Sequence, residues 1–348
     1  MPTEWKMELE MEVEYGPPLR DKSNALFRQT VEDYYDWLGC WMMTLTFIFG
    51  PPFLLLLCIT TSLWIIGLLY FLWMYYDRET PHTGGRRLLA FRKLRFWRYR
   101  RNYFPIRLVK TAELPANTTY LFSSFPHGIL VFGASTNFIS DANHFDKAFP
   151  GLNPYIMTLN ANFNFPFARE LLLFFGVCAA SARGILHVLN GPPGNVCVLM
   201  VGGVAEALKS VPGEYHIILR NRKGFVKMAL KTGSSLVPVF SFGETDTYEQ
   251  VSGKWYRWLQ GKLRATTGIP LILVKGRGIL SHSFRLLPHN RPITTVVGNP
   301  IKLPKEENPG PELVDTYHEI FTRELIELFE KYKVKYDSRG KDATLIIE

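Results

Sequence analysis

The chain has 348 residues, with 40 Lys and Arg against 31 Asp and Glu, a formal net charge of +9, and is 47% hydrophobic and 20% charged. It is too apolar for a disordered chain, and its length suits two modest domains or one large one. Its four cysteines, Cys40, Cys58, Cys178 and Cys197, form no CxxC pair, which excludes a disulfide framework and the common zinc-finger spacings and fits a reducing compartment.

Residues 1–37 are acidic (Glu8, Glu10, Glu12, Glu14, Glu32, Asp33) and lack the basic start of a secretory signal. From Gly39 to Tyr76 there is no charged side chain. One helical crossing of a bilayer needs about 20 apolar residues, so this run is nearly two crossings long. Gly50-Pro51-Pro52 interrupts it, because tandem prolines remove two N–H donors and clash with the preceding turn. Thr60-Thr61-Ser62 is a second weak point. The expectation is a transmembrane or re-entrant helical hairpin over 38–76, preceded by a cytoplasmic segment, 1–37. Next comes a basic belt, Arg86, Arg87, Arg92, Lys93, Arg95, Arg98, Arg100, Arg101, Arg107 and Lys110, interleaved with Trp97, Tyr99, Tyr103 and Phe104. Basic residues beside a membrane segment stay cytoplasmic and pair with anionic head groups. Residues 77–113 are therefore expected at the membrane surface, with the bilayer and not nucleic acid as partner.

From Leu114 strands and helices alternate. Strands are expected at Tyr120–Phe125, Val196–Val201, Tyr215–Leu219, Leu236–Ser241, Pro270–Val274 and Ile293–Val297, each β-branched or aromatic and bounded by Gly, Pro or Asn. Helices are expected at Phe167–Phe175, Val204–Ser210, Gly224–Thr232, Tyr256–Thr266 and Glu312–Lys335. The fold class is α/β, a mainly parallel sheet with helical cover, in one cytoplasmic domain over 114–348.

His127 stands in Phe125-Pro126-His127-Gly128, where the first of these strands runs out. Ligands gather at the carboxyl ends of parallel strands, and an imidazole suits general-base work on a hydroxyl at neutral pH. Val201-Gly202-Gly203-Val204-Ala205-Glu206 closes another strand; Gly202 and Gly203 offer N–H groups to an oxyanion, and Glu206 either orients His127, binds a substrate hydroxyl or is a helix-start acid. Arg220, Asn221, Arg222, Lys223 and Gly224 open a helix past a third strand, an arrangement suited to phosphates or else a solvated charge cluster. Neither a metal-ligand spacing nor a GxSxG elbow is present. A histidine base, an anion trap and an apolar anchor together suggest direct attack of a lipid hydroxyl on an acyl group carried by coenzyme A, without a metal or redox cofactor.

Tyr103-Phe104-Pro105, the FPHG run, ANFNFPFARE (161–170), VGGVAEAL (201–208), RNRKGFVK (220–227), LVPVFSFGE (236–244), GRG (276–278) and PITTVVGNPI (292–301) follow one another in an order and spacing that resembles the type-2 diacylglycerol acyltransferase family. That family also holds monoacylglycerol and wax-alcohol acyltransferases. The resemblance covers about Asp77 to Lys335 and implies a glycerolipid-acyltransferase-like domain in the endoplasmic-reticulum membrane, also on lipid droplets. Fatty acyl-CoA would be the donor, and a neutral acylglycerol or alcohol the acceptor. The family's His-Pro-His-Gly motif has Phe125 in first place here, so its catalytic role carries to His127 and Gly128. Related glycerol-phosphate acyltransferases place an aspartate where this chain has Phe132, leaving Glu206 as the candidate partner of the base. An acyl-CoA hydrolase and a non-catalytic lipid-droplet protein are the other classes the sequence leaves open.

Overall fold

The computed structural model describes residues 12–17, 36–39, 49–251, 253–267, 272–276 and 287–348. Its strands are β1 (Val13–Tyr15), β2 (Ile106–Lys110), β3 (Tyr120–Phe125), β4 (Asn153–Thr158), β5 (Cys178–Ala179), β6 (Asn195–Met200), β7 (Tyr215–Ile217), β8 (Ser235–Phe242), β9 (Glu249–Gln250), β10 (Val274–Lys275), β11 (Ile293–Val297) and β12 (Leu345–Ile347). Among the described residues an eight-stranded sheet runs β1–β2–β11–β8–β3–β6–β4–β5. The pairs β2/β11, β8/β3, β3/β6, β6/β4 and β4/β5 are parallel, while β1/β2 and β11/β8 are antiparallel. The sheet is largely parallel, as expected. Tyr120 pairs with both Val196 and Ser235, so β3, β6 and β8 run in register and their following loops leave the same edge.

Residues 36–39 are helical, and the helices that follow are α1 (described over 49–60), α2 (Trp64–Tyr76), α3 (Leu89–Arg92), α4 (Arg95–Tyr103), α5 (Phe132–Ala134), α6 (Phe145–Ala148), α7 (Ala168–Phe174), α8 (Ala182–Leu189), α9 (Gly203–Ala207), α10 (Gly224–Thr232), α11 (Lys254–Thr267) and α12 (Pro311–Tyr336). On one face Leu121, Phe125, Cys197, Leu236 and Phe240 pack against Ile185, Val226, Phe321 and Phe329 of α8, α10 and α12. On the other, Tyr120, Phe122, Val198 and Val237 pack against Trp97, Phe138, Phe145 and Phe149. Covered on both faces, β3 and β8 are buried along their whole length, serines included.

Three expectations change. Tyr215–Leu219 yields β7, which pairs in parallel with β12 outside the main sheet. Of the strand expected at Pro270–Val274, positions 270 and 271 lie outside the described residues, and β10 pairs with β9 rather than the main sheet. The boundary at Leu114 moves back, because the basic belt is partly built into the domain. All five residues of β2 are buried, and α4 buries Trp97, Arg100 and Tyr103. Two of its buried guanidinium groups find partners inside the fold: Arg107 pairs with Glu14 at 3.1 Å, and Arg100 donates to Thr136 Oγ1 at 2.8 Å and Ser135 Oγ at 2.5 Å. Reading the belt by charge alone hid the apolar residues that make β2 an inner strand.

In the apolar run the break falls at residues 61–63, the second weak point, whereas Pro51 and Pro52 lie within α1. Thr60 and Thr61 turn their hydroxyls back onto the carbonyls of Leu56 (2.8 Å) and Leu57 (2.6 Å) just before the break. A Cβ on Gly67 would sit 3.2 Å from the Cβ of Cys58, so α1 and α2 fold back on one another as a helical hairpin with exposed apolar flanks. Among the described residues no helix is long and apolar enough to cross a membrane. The hairpin is fixed to the domain at α7. Tyr70 stacks on Phe167 with ring centroids 4.6 Å apart, Arg86 pairs with Glu170 at 2.6 Å, and the Asp77 carboxylate is held by Arg86 and Arg169.

Candidate active site

His127 lies two residues past β3, after a cis Phe125–Pro126 peptide, and is partly exposed. Its Nδ1 is 3.0 Å from the carbonyl of Gly128. A carbonyl only accepts, so Nδ1 carries the proton and Nε2 keeps its lone pair. Burial by the surrounding protein lowers the pKa below the ordinary 6.5, which favours this neutral form at pH 7. Gly128 is left-handed, with φ +58, and a Cβ there would lie 2.7 Å from Cγ of Glu244.

Glu206 is 1% exposed and reaches the same loop from α9. One carboxylate oxygen accepts the main-chain N–H of His127, and the other accepts the N–H of Ile218 at 2.9 Å. It therefore meets His127 through the backbone, not the ring. Burial pushes its pKa up to about 7 against the two N–H donors and the nearby Arg222, all of which favour the charged form. A Cβ on Gly202 would collide with this carboxylate, whereas a Cβ on Gly203 would meet nothing within 4 Å. Gly202 thus clears space for Glu206, and Gly203 faces open space.

Through Glu206 the His127 loop is tied to Ile218, the residue after β7, and the cations begin two residues beyond that tie. Arg220, Asn221, Arg222 and Gly224 are exposed. Lys223 is half-exposed and engaged by Asp315 of α12 at 2.6 Å. The C-terminal strand braces the loop, since the carbonyl of Glu348 accepts the N–H groups of Leu219 and Arg220, each at 2.8 Å.

A second buried carboxylate, Glu244, was not singled out as a site residue. It lies two residues past β8, is 1% exposed, and accepts the N–H of Phe132 at 2.6 Å and of Gly133 at 2.7 Å. Burial pushes it, too, up to about 7, against those donors and Arg100. The Phe242-Gly243-Glu244 run, an acid after a strand and a glycine, was the available signal; what was missing was the knowledge that β8 lies beside β3. Among the described residues no group of three or more His, Cys, Asp or Glu side chains is placed to hold a metal ion.

A family model for diacylglycerol acyltransferase matches residues 55–348. The chain belongs to the diacylglycerol acyltransferase family. It is 45% identical over 294 residues to human diacylglycerol O-acyltransferase 2, covering 83% of this chain and 75% of that one. To human 2-acylglycerol O-acyltransferase 3 it is 42% identical over 304 residues, 85% of this chain and 89% of that one. To human acyl-CoA wax alcohol acyltransferase 1 it is 42% identical over 298 residues, 84% and 90% of the two chains. Among solved structures, the 1-acyl-sn-glycerophosphate acyltransferase PlsC of Thermotoga maritima overlays 86% of this chain and 98% of its own at 12% identity, with a TM-score of 0.41, too loosely to carry an argument. The family read from the motifs is the family matched, and the protein is an acyltransferase. The match spans His127, Glu206, the 220–224 loop and Glu244.

Proposed function

We propose that the protein transfers a fatty acyl group from acyl-CoA to the hydroxyl of diacylglycerol, giving triacylglycerol. The observation that carries this reading is a neutral imidazole at the end of β3, joined through the Glu206 carboxylate to Ile218, two residues before the cation-rich loop. The acceptor oxygen attacks the thioester carbonyl while Nε2 takes its proton. The tetrahedral intermediate expels the thiolate of coenzyme A as the C–S bond breaks, and the imidazolium returns the proton to that sulfur. Arg220 and Arg222 grip the phosphates of coenzyme A, with Asn221 and the N–H of Gly224 beside them; Lys223 contributes from its Asp315 pair. The N–H groups of Gly128 and Gly203 serve the oxyanion, and each such donor matters by about 10²–10³ in rate. No cofactor besides the acyl-CoA substrate is required.

Monoacylglycerol and long-chain alcohols are the second reading of the acceptor, favoured by relatives named for those activities. The membrane is the natural solvent for all of these acceptors, and the exposed apolar flanks of α1 and α2 fit it. At 1.5 Å per residue the 13 residues of α2 extend about 20 Å, short of the roughly 30 Å hydrocarbon core, which favours a re-entrant dip over two full crossings. The catalytic domain then lies on the cytoplasmic face of the endoplasmic reticulum, with lipid droplets within reach of such a hairpin. Purified protein in phospholipid vesicles, given labelled acyl-CoA and a panel of diacylglycerol, monoacylglycerol and long-chain alcohol, tests the reading. Labelled triacylglycerol should dominate. Release of free fatty acid at a rate indifferent to acceptor would overturn it in favour of a hydrolase.

A further inference from the structure

We infer that Glu244 is a positioning residue for His127, and that with Glu206 it suspends the catalytic loop between two buried carboxylates supplied by the strands on either side of β3. The inference rests on His127 being the base.

In the sheet β3 lies between β6 and β8. The chain past β6 delivers Glu206, and the chain past β8 delivers Glu244. Glu206 takes the N–H at the near end of the loop, at His127, and Glu244 takes the two N–H groups at its far end, at Phe132 and Gly133. Between these anchors are two left-handed residues, Gly128 at φ +58 and Val131 at φ +53. Glycine adopts that conformation freely; a β-branched valine does not, and holds it only where the surroundings impose it. The two hydrogen bonds that Glu244 accepts begin at the N–H of the residue directly after Val131, where such an imposition is needed.

The space around Glu244 is kept by glycines. A Cβ on Gly128 would come within 2.7 Å of its Cγ, and one on Gly133 within 2.8 Å of its Oε2. Behind it Arg100, the cation that favours the ionised form, is itself held by Ser135 and Thr136 in the turn that continues α5. Burying a carboxylate is costly, and capping α5 and the helical stretch Ser135–Ile139 that continues it offsets only part of that cost. Fixing the backbone that carries the imidazole is a role of matching weight, because small misplacements of a catalytic group cost on the order of 10²-fold in rate.

Two variants of the full chain in lipid vesicles approach the contact from opposite sides. Glu244→Gln keeps the shape but offers one accepting oxygen to two N–H donors. Gly133→Ala leaves Glu244 in place and crowds its Oε2, together with Cγ2 of Ile293 at the same 2.8 Å and Oγ1 of Thr295 at 3.0 Å, so its rate is read only per folded protein. For each, kcat per folded protein should fall by about 10- to 100-fold, with KM for acyl-CoA and for acceptor within about twofold of wild type. Combined with His127→Ala, neither should lower the residual rate further, because a positioning residue acts only through the group it positions. A kcat loss that merely tracks the folded fraction, a change confined to KM, or an undiminished further loss in the His127→Ala background would overturn the inference. If His127→Ala itself turns over normally, the base assignment fails. If it is inactive while Glu244→Gln and Gly133→Ala are normal, only the positioning role fails.

Discussion

At His127 the tautomer is set by one carbonyl and the charge by burial, so the proposed base is already neutral before substrate arrives. His127→Ala should remove about 10²–10⁴-fold of acyl transfer while membrane extraction of the protein is unchanged. His289→Ala, whose ring faces Glu249 at 3.9 Å, is the control and should stay near wild type in the same assay. Glu206 carries a different prediction. Its pKa is raised in the fold to about 7 from 4.5, so the folded state holds the proton more tightly than the unfolded one. That contribution to stability is complete below pH 4.5 and is lost as pH rises through about 7. The melting temperature of wild type, measured relative to that of Glu206→Gln, should therefore rise as pH is lowered from about 8 to about 6. A gap that stays constant would show that the carboxyl titrates in the fold as it does in water. His127 and Glu206 were legible in the sequence because each follows an apolar strand at a glycine or proline corner. The contact between them was not, since a main-chain N–H leaves no trace in residue type. Glu244 was hidden for another reason: its meaning depends on which strand lies beside which.

The elements that could be read were those whose pattern is local. α10 occupies Gly224–Thr232 as its spacing predicts, and α12 extends the expected helix by one residue at each end. β2 was missed because its charges outweighed its three apolar residues, and β7 was misassigned because its partner, β12, lies far along the chain. That partnership makes a prediction. Removing Leu345–Glu348 frees the N–H groups of Leu219 and Arg220 and loosens the cation loop, so KM for acyl-CoA should rise several-fold with little change for the acceptor. Arg222→Glu should act in the same direction and more strongly, since it reverses an exposed charge in the loop proposed to hold phosphate. Added salt should mimic it in part by screening. Equal effects on both substrates would mean that the loop serves structure rather than acyl-CoA.

For the molecule as a whole, the decisive contact is the one between the first described strand and the domain. β1 pairs with β2 in the main sheet, Glu14 pairs with Arg107, and Lys335 of α12 holds Glu12 at 2.6 Å and Glu14 at 2.8 Å. The chain thus leaves the sheet, forms the apolar hairpin and returns to the same sheet. Tags at both termini should be digested by protease added to sealed microsomes without detergent. Asn117, an exposed residue in a formal Asn-Thr-Thr acceptor sequence, should remain unglycosylated. A protected amino-terminal tag, or a glycosidase-sensitive form lost in Asn117→Gln, would place part of the chain across the bilayer and separate β1 from its partner.

The same closure imposes an order on biosynthesis. Val13–Tyr15 leaves the ribosome long before Ile106–Lys110 exists to receive it, and the greasy segment emerges in between. With the hairpin in the bilayer as proposed, a nascent chain would meet lipid with its leading end untethered, and the strand pairing would form only afterwards, when the translated domain folds and draws that end in. Under that proposal insertion and folding are sequential commitments: the address would come first, and only then the strand pairing that keeps the leading end from straying.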